Sequence, residues 1–427
     1  MLTASSAFSW QTMHPSQPDP LAHLYARRAE GMKASEIREL LKLLEQPDII
    51  SFAGGIPDAA LFPTATVETI LHAILGPGGS AAEALQYSVS EGYGPLRRWI
   101  AGYMRDTRGV DCAAHNILIT AGSQQALDLI GKLFVSPGDI VLTERPTYLG
   151  FIQSIRTFEP DLREIAVTDA GASAPDLADG EAGRARLAYL IPDFANPTGR
   201  TLTAEQRLAA LALARSLDVA VIEDAAYADL GHAGQRNECL LKLDIDGTGS
   251  IDASRVLYCG TFSKVFAPGL RIGWICAAQS VIDKLVLAKQ ASDLHVAPMN
   301  QMVMERLAAE TYDAQIARNR QVYAERKGWM VEALERYLPQ DVHWVKPEGG
   351  MFVWLELPSD FDGADLLAKA VRDYRVAFVP GAPFFTGTAP RNTIRLSFSQ
   401  ASRDQIFEGA KRLADLITAE RALIEER

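Results

Sequence analysis

The chain has 427 residues, 48% of them hydrophobic and 22% charged, enough apolar mass to bury one large core or two joined ones and too much for a disordered or fibrous protein. A formal net charge of −11 without any Lys/Arg block argues against a broad nucleic-acid surface, because neutralising phosphates needs clustered positive charge. Four scattered cysteines (Cys112, Cys239, Cys259, Cys276) form no Cys-x-x-Cys pair, which fits reduced thiols in a cytoplasmic setting, and no apolar stretch reaches signal-peptide or membrane-spanning length, so neither export nor insertion is expected.

Residues 1 to about 30 read as a loosely ordered arm. The run 34–45 carries apolar residues at helical spacing behind Ser35, a candidate cap, and stops before Pro47. From about residue 65 to 310, short β-branched runs (116–120, 139–143, 187–191, 219–223, 256–259 and 271–276) alternate with Ala/Leu-rich helical stretches. Such alternation predicts a mostly parallel sheet with helices on both faces, and in open sheets of that kind ligands sit beyond the carboxyl ends of the strands. After about residue 310 the pattern changes to a long charged helix, apolar runs over 350–357 and 376–379, and a final helix after Ser402, which predicts a smaller α+β unit. The run 244–249 (DIDGTG) superficially suggests a calcium loop, but its glycine is misplaced and the downstream Glu is missing. It is read as a surface turn, and no metal site is expected.

The strand-end residues carry the chemistry. Lys264 stands in Gly-Thr261-Phe-Ser263-Lys264-Val-Phe-Ala-Pro-Gly-Leu-Arg271, delivered by an apolar run beside two hydroxyls, glycines and an arginine. That setting suits an amine that condenses with the carbonyl of a phosphorylated cofactor such as pyridoxal 5'-phosphate. Asp224 closes another apolar run; alone it reads as a cap or turn residue, but paired with Lys264 it suits a carboxylate that keeps a pyridine nitrogen protonated. Asn196, in Asn-Pro-Thr-Gly, and Tyr227 could donate hydrogen bonds to a phenolate oxygen on that ring, although Asn-Pro and Thr-Gly are also ordinary turn dipeptides. Thr120-Ala-Gly-Ser123-Gln124 reads as strand, glycine turn and helix start, where amide groups and the helix dipole, with Ser123 and Gln124, could hold a phosphate together with Thr261, Ser263 and Arg271. Tyr148 is a candidate aromatic platform for the ring face. Arg395, on an alternating run with Ser397, has the planar fork suited to gripping a substrate carboxylate; its bland alternative is a strand-surface charge.

With Lys264, Asp224, Asn196 and Arg395 in this order and spacing, the chain resembles the fold type I pyridoxal-phosphate aminotransferases. Within them it is most similar to the 2-aminoadipate and kynurenine/aminoadipate branch, through Ser-Phe-Ala-Gly-Gly-Ile-Pro-Asp at 51–58, Leu-Gln-Tyr-Ser at 85–88, Gly-Ser-Gln-Gln-Ala-Leu-Asp-Leu at 122–129, Pro-Thr-Tyr-Leu-Gly at 146–150, Gly-Gly-Met-Phe-Val-Trp at 349–354 and Phe-Val-Pro-Gly at 378–381. The resemblance implies an α/β fold: a large domain (63–312) with a mostly parallel seven-stranded sheet flanked by helices, a smaller α+β domain (313–427), and an arm and helix (1–62) that belong with the smaller one. It implies a homodimer with shared active sites, in which Tyr87 reaches the partner's cofactor phosphate, and a substrate pocket lined by Gly55 and Asn196. It also implies that Arg38, on the helix over 34–45, meets the distal carboxylate of an acidic substrate, where the alternative is a solvent-facing charge paired with a nearby Glu. Phe52, Leu61 and Tyr148 are candidates for an apolar lining.

The activity implied is a ping-pong transfer of an amino group between an L-amino acid, 2-aminoadipate first, and 2-oxoglutarate, with Lys264 as the general base and no nucleic-acid or membrane partner. Aromatic, branched-chain or kynurenine substrates are the alternative. Two further readings differ in kind: a lyase or decarboxylase on the same cofactor, and a transcription regulator with a similar ligand-sensing domain, for which no winged-helix pattern is visible ahead of the first helix.

Overall fold

The structure, a computed structural model, describes residues 19–32, 48–178, 180–232 and 237–426. The expected helix over 34–45, with Ser35 and Arg38, lies outside the described residues.

All six expected runs form strands of one seven-stranded sheet, in the order Ile117–Thr120, Gly273–Cys276, Val256–Thr261, Ala220–Asp224, Ala185–Leu190, Ile140–Thr143, Asp161–Glu164. Pairing is parallel except at Gly273–Cys276, which runs antiparallel to both neighbours. Central strands such as Ile140–Thr143 and Val256–Thr261 are buried on both faces, which is why they read as continuous apolar runs rather than alternations. The seventh strand, Asp161–Glu164, has no such run. It lies at the sheet edge, half-buried throughout, where charged side chains blunt the open row of backbone groups.

Helices cover the sheet with stripes of apolar residues at helical spacing, as in Ser123–Phe134, which buries Ala126, Leu127, Leu129 and Ile130. Capping boxes start the Ala204–Ser216 helix (Thr203 with Gln206) and the final Arg403–Glu425 helix (Ser402 with Gln405). The expected charged helix begins well before residue 310: it spans Pro298–Tyr337, with Pro298 in its first turn, where the missing N–H costs nothing. Its Met302, Met304 and Leu307 pack in the core of the large sheet, and its Met330, Ala333 and Leu334 in a second core. That second core is built on an antiparallel sheet in the order His343–Trp344, Phe352–Glu356, Thr393–Ser397, Val379–Pro380, backed by the Gly363–Asp373 and Arg403–Glu425 helices. Ile50–Ser51 pairs with Val376–Ala377 and so joins the same core.

The run 244–249 is not the surface turn expected. Leu240–Thr248 is a helix, and Asp244 is fully buried, accepting from Arg215 Nη2 at 2.6 Å, Ser254 Oγ at 2.7 Å and the Arg255 amide at 2.9 Å. A charged partner 29 residues away makes this acidic segment part of the core boundary, which its local composition conceals.

Candidate active site

Three strands of the large sheet that run in the same direction end at Thr120, Asp224 and Thr261, the first separated from the last by Gly273–Cys276, and the sequence-expected residues gather beyond those ends. After Thr120 the chain turns through Gly122, whose φ of +79° is open to glycine and strained for other residues, and enters the helix at Ser123. A Cβ on Gly122 would stand 2.5 Å from Arg271 Nη2, so the missing side chain lets the guanidinium pack on the turn. Arg271 donates to Ala121 O at 3.1 Å and to Pro268 O at 3.2 Å. Thr261 Oγ1 lies 2.9 Å from Ser263 Oγ and accepts from the Ser263 amide at 3.1 Å. Helix start, hydroxyls and guanidinium thus converge into a cup with the polarity that receives an anion. The Gln124 side chain is turned away from the cup, donating to Gly150 O at 2.8 Å, so what Gln124 can bring to the cup is its backbone N–H.

Lys264 follows directly. Its Nζ donates to Gly55 O at 3.0 Å and lies 5.7 Å from the centre of the Tyr227 ring. Burial, then the charges of Arg395 and Arg271, bring its pKa down to about 8, with Asp224 pulling the other way. Asp224 is buried and accepts from the Tyr189 hydroxyl at 2.6 Å and from the Ala226 amide at 3.3 Å. Burial raises its pKa, a shift that the Tyr189 bond and Lys264 oppose.

Asn196, Tyr227 and Arg395 form one connected set. Asn196 donates from Nδ2 to Tyr227 Oη at 3.4 Å and accepts at Oδ1 from Arg395 Nη1 at 2.7 Å. Arg395 is 3% exposed; its second donation goes to Ala53 O at 2.8 Å, and among the described residues its Nε has no partner. It lies over the Phe352 ring at 4.4 Å and the Phe384 ring at 5.2 Å, and burial lowers its pKa to about 10, so it stays a cation at neutral pH. Among the described residues no carboxylate pairs with it. A buried, uncompensated guanidinium is costly and calls for an anionic ligand. A Cβ on Gly55 would come 2.9 Å from Phe352 and 3.7 Å from Arg395, so this glycine keeps the approach open. The Tyr148 phenol is close enough to act electrostatically on both Arg395 and Tyr227.

Not every expected residue joins the cluster. Tyr87 is 79% exposed, its ring edge-on to His295 at 5.8 Å. Arg38 lies outside the described residues. Phe52 is not a lining residue: it is wholly buried against Gly409 in the second core, and Leu61 is buried in the same core. Both belong to the packing that seats the Ala53–Gly55 carbonyls. Sequence reasoning missed Tyr189, Phe352 and Phe384. Tyr189 pairs in register with Ile222 on the strand that ends at Asp224, a neighbourhood that depends on strand order and has no local signal.

The chain matches the family model described as "Aminotransferase class I and II" over residues 47–413. It is 41% identical over 403 residues to aromatic-amino-acid aminotransferase 1 of Thermococcus litoralis, covering 93% of this chain and 94% of that one. It is 40% identical over 414 residues to a 2-aminoadipate transaminase of Thermus thermophilus, covering 96% and 100%. The crystal structure of an alpha-aminoadipate aminotransferase of Thermus thermophilus, complexed with N-(5'-phosphopyridoxyl)-L-leucine, aligns with a TM-score of 0.84 at 38% identity, covering 94% of this chain and 99% of that one. The chain therefore belongs to the class I and II aminotransferases, pyridoxal 5'-phosphate-dependent transferases of fold type I, in the branch of the 2-aminoadipate and kynurenine/aminoadipate enzymes.

Proposed function

We propose that the enzyme moves an amino group between an acidic L-amino acid, 2-aminoadipate first, and 2-oxoglutarate in a ping-pong exchange. The observation that carries this reading is Arg395, a buried cation beside Lys264 with no carboxylate of its own among the described residues. Its planar fork would grip the α-carboxylate of an incoming amino acid and turn the Cα–H toward the lysine. Arg38 would take the distal carboxylate of an acidic substrate; it lies outside the described residues, and the similarity to a 2-aminoadipate transaminase supports the assignment.

The residues present fit pyridoxal 5'-phosphate: the cup at Gly122 with Ser123, Thr261, Ser263 and Arg271 suits its phosphate, with the backbone of Gln124 adding an amide, and the buried Asp224 carboxyl suits its ring nitrogen. When bound, that cofactor supplies a carbonyl that takes up amino groups and a ring that withdraws electrons from Cα. Asn196 and Tyr227 would donate to its phenolate oxygen, Tyr148 would cover a ring face, and Tyr87 would reach the cofactor phosphate of a partner subunit in a homodimer. Lys264 Nζ, freed of its charge above about pH 8, would take the Cα proton and deliver it to the former carbonyl carbon of the cofactor, two bonds from Cα across the nitrogen. Asp224, as an anion, would keep a proton on the ring nitrogen and so strengthen the ring's pull on the electrons of Cα. Gly55 leaves room for the substrate chain. A cytoplasmic location belongs to the same reading; among the described residues no helix is long and apolar enough to cross a membrane.

A broader donor range is the second reading, supported by the 41% identity to an aromatic amino-acid enzyme and by the rings of Phe352 and Phe384 around Arg395. A single-turnover experiment separates the two. Cofactor-loaded protein is mixed separately with 2-aminoadipate, glutamate, leucine, phenylalanine and kynurenine, the cofactor absorbance is followed, and each 2-oxo acid is identified. Conversion fastest with 2-aminoadipate and glutamate is the expected result; faster conversion of phenylalanine or kynurenine would replace the acidic assignment.

A further inference from the structure

Asp224 is a carboxyl held where burial works against its charge, and the fold gives it few donors. Among the described residues its Oδ1 accepts only a long bond from the Ala226 amide at 3.3 Å, whereas its Oδ2 accepts from the Tyr189 hydroxyl at 2.6 Å, the short distance of a bond to an ionised acceptor. Among the other titratable groups that act on Asp224 or feel it, Lys264 attracts it through space, while Tyr227 and Cys259 are buried groups whose own ionisation is disfavoured. Tyr189 therefore supplies the main direct stabilisation of the charge.

Tyr189 is built to do this. It sits on the parallel strand Ala185–Leu190, next to Ala220–Asp224, and is completely buried. Its ring is stacked on Phe151 with centres 3.8 Å apart and planes 3° from parallel, so the hydroxyl can turn only about its own C–O bond. Burial, and then the charge of Asp224, hold the phenol well above its usual pKa, which keeps it a hydrogen-bond donor at neutral pH.

We infer that Tyr189 is a positioning residue for the reaction: its hydroxyl orients Asp224 and keeps it ionised, and thereby sets how firmly the protein holds a proton on the cofactor's ring nitrogen. The inference rests on the proposed placement of Asp224 against that nitrogen. The competing account is that Tyr189 merely fills space between two strands, in which case losing the hydroxyl would alter stability and nothing else.

The test compares wild type, Tyr189→Phe and Asp224→Asn, each loaded with pyridoxal 5'-phosphate labelled with nitrogen-15 in the ring, whose chemical shift reports protonation of that nitrogen. Tyr189→Phe should move the shift part of the way toward the Asp224→Asn value and lower kcat about tenfold or more, the scale of a lost hydrogen bond to a charge. With a cofactor analogue carrying carbon in place of the ring nitrogen, wild type and Tyr189→Phe should become equal within about twofold, since the affected group is gone. A wild-type shift in Tyr189→Phe, alongside a changed shift in Asp224→Asn, would overturn the role of Tyr189 alone. An unchanged shift in Asp224→Asn would instead overturn the placement of Asp224. Should Tyr189→Phe fail to fold, Phe151→Leu keeps the hydroxyl and loosens the ring; it should give a smaller shift of the same sign, and no shift would count against the inference.

Discussion

Lys264 shows how much of the site one residue can carry. Burial, then the charges of Arg395 and Arg271, bring its pKa down to about 8 from the usual 10.5 against the pull of Asp224, and among the described residues no acid forms an ion pair with it, its Nζ donating to a neutral carbonyl. The direction of the resulting pH dependence follows. Below about pH 8 Lys264 is an ammonium and cannot attack a carbonyl; above it, the free amine dominates while surface lysines are still charged. Capture of pyridoxal 5'-phosphate by the cofactor-free protein should thus quicken about tenfold per pH unit up to pH 8 and then level off. Stopped-flow absorbance across pH 6–10 measures it, and a midpoint near 10 would show that the amine is not depressed. Lys264→Ala should lose the pH-dependent capture and all turnover. Lys264, Asp224, Asn196 and Arg395 were legible in the sequence because each stands at a strand end or on an alternating strand beside residues that suit the same chemistry. Tyr189 was not, because its meaning comes from a neighbouring strand 35 residues away. Phe52 was misjudged for a related reason: an apolar residue next to a glycine pair looks the same whether it faces a ligand or Gly409.

At the scale of elements, buried parallel strands announce themselves as apolar runs, and six of the seven were visible that way. The edge strand Asp161–Glu164 and the helix Leu240–Thr248 were hidden by charge, in the first because an edge tolerates it and in the second because Arg215 neutralises it from another helix. The Gly122 turn depends on a contact between elements that no single segment reveals. A Cβ on Gly273, in the antiparallel strand, would lie 2.7 Å from Gly122 C and 2.8 Å from Ser123 N, backbone that cannot swing aside. Gly273→Ala should therefore push the turn off its strand, lowering stability by roughly 1–3 kcal/mol, as overpacking does, and weakening cofactor binding as well. Urea midpoints of the cofactor-free protein and fluorescence titration with pyridoxal 5'-phosphate would record both effects. An alanine variant with unaltered cofactor affinity would mean that the turn does not hold the phosphate.

For the whole molecule, the segment around Tyr87 makes sense only if something covers it. Leu85 is 74% exposed, Tyr87 79% and Val89 58%, an apolar stretch that a lone chain leaves in water at a cost. Tyr87 is also absent from the cluster around its own Lys264, which fits a tyrosine donated to a second copy. If two copies share their sites in that way, two inactive variants can repair each other. Lys264→Ala lacks the amine but has a sound Tyr87; Tyr87→Ala lacks the phosphate contact but has a sound lysine. In a hybrid dimer one site inherits both defects and the other neither. Random reassortment makes half of the dimers hybrid, so a one-to-one mixture, unfolded and refolded together, should regain about a quarter of the wild-type activity. Each variant refolded alone should stay near its own low level. Light scattering before mixing checks that both variants form dimers. Activity of the mixture no greater than the average of the two separate variants would place Tyr87 outside the partner's site, and the exposed stretch would then need another occupant.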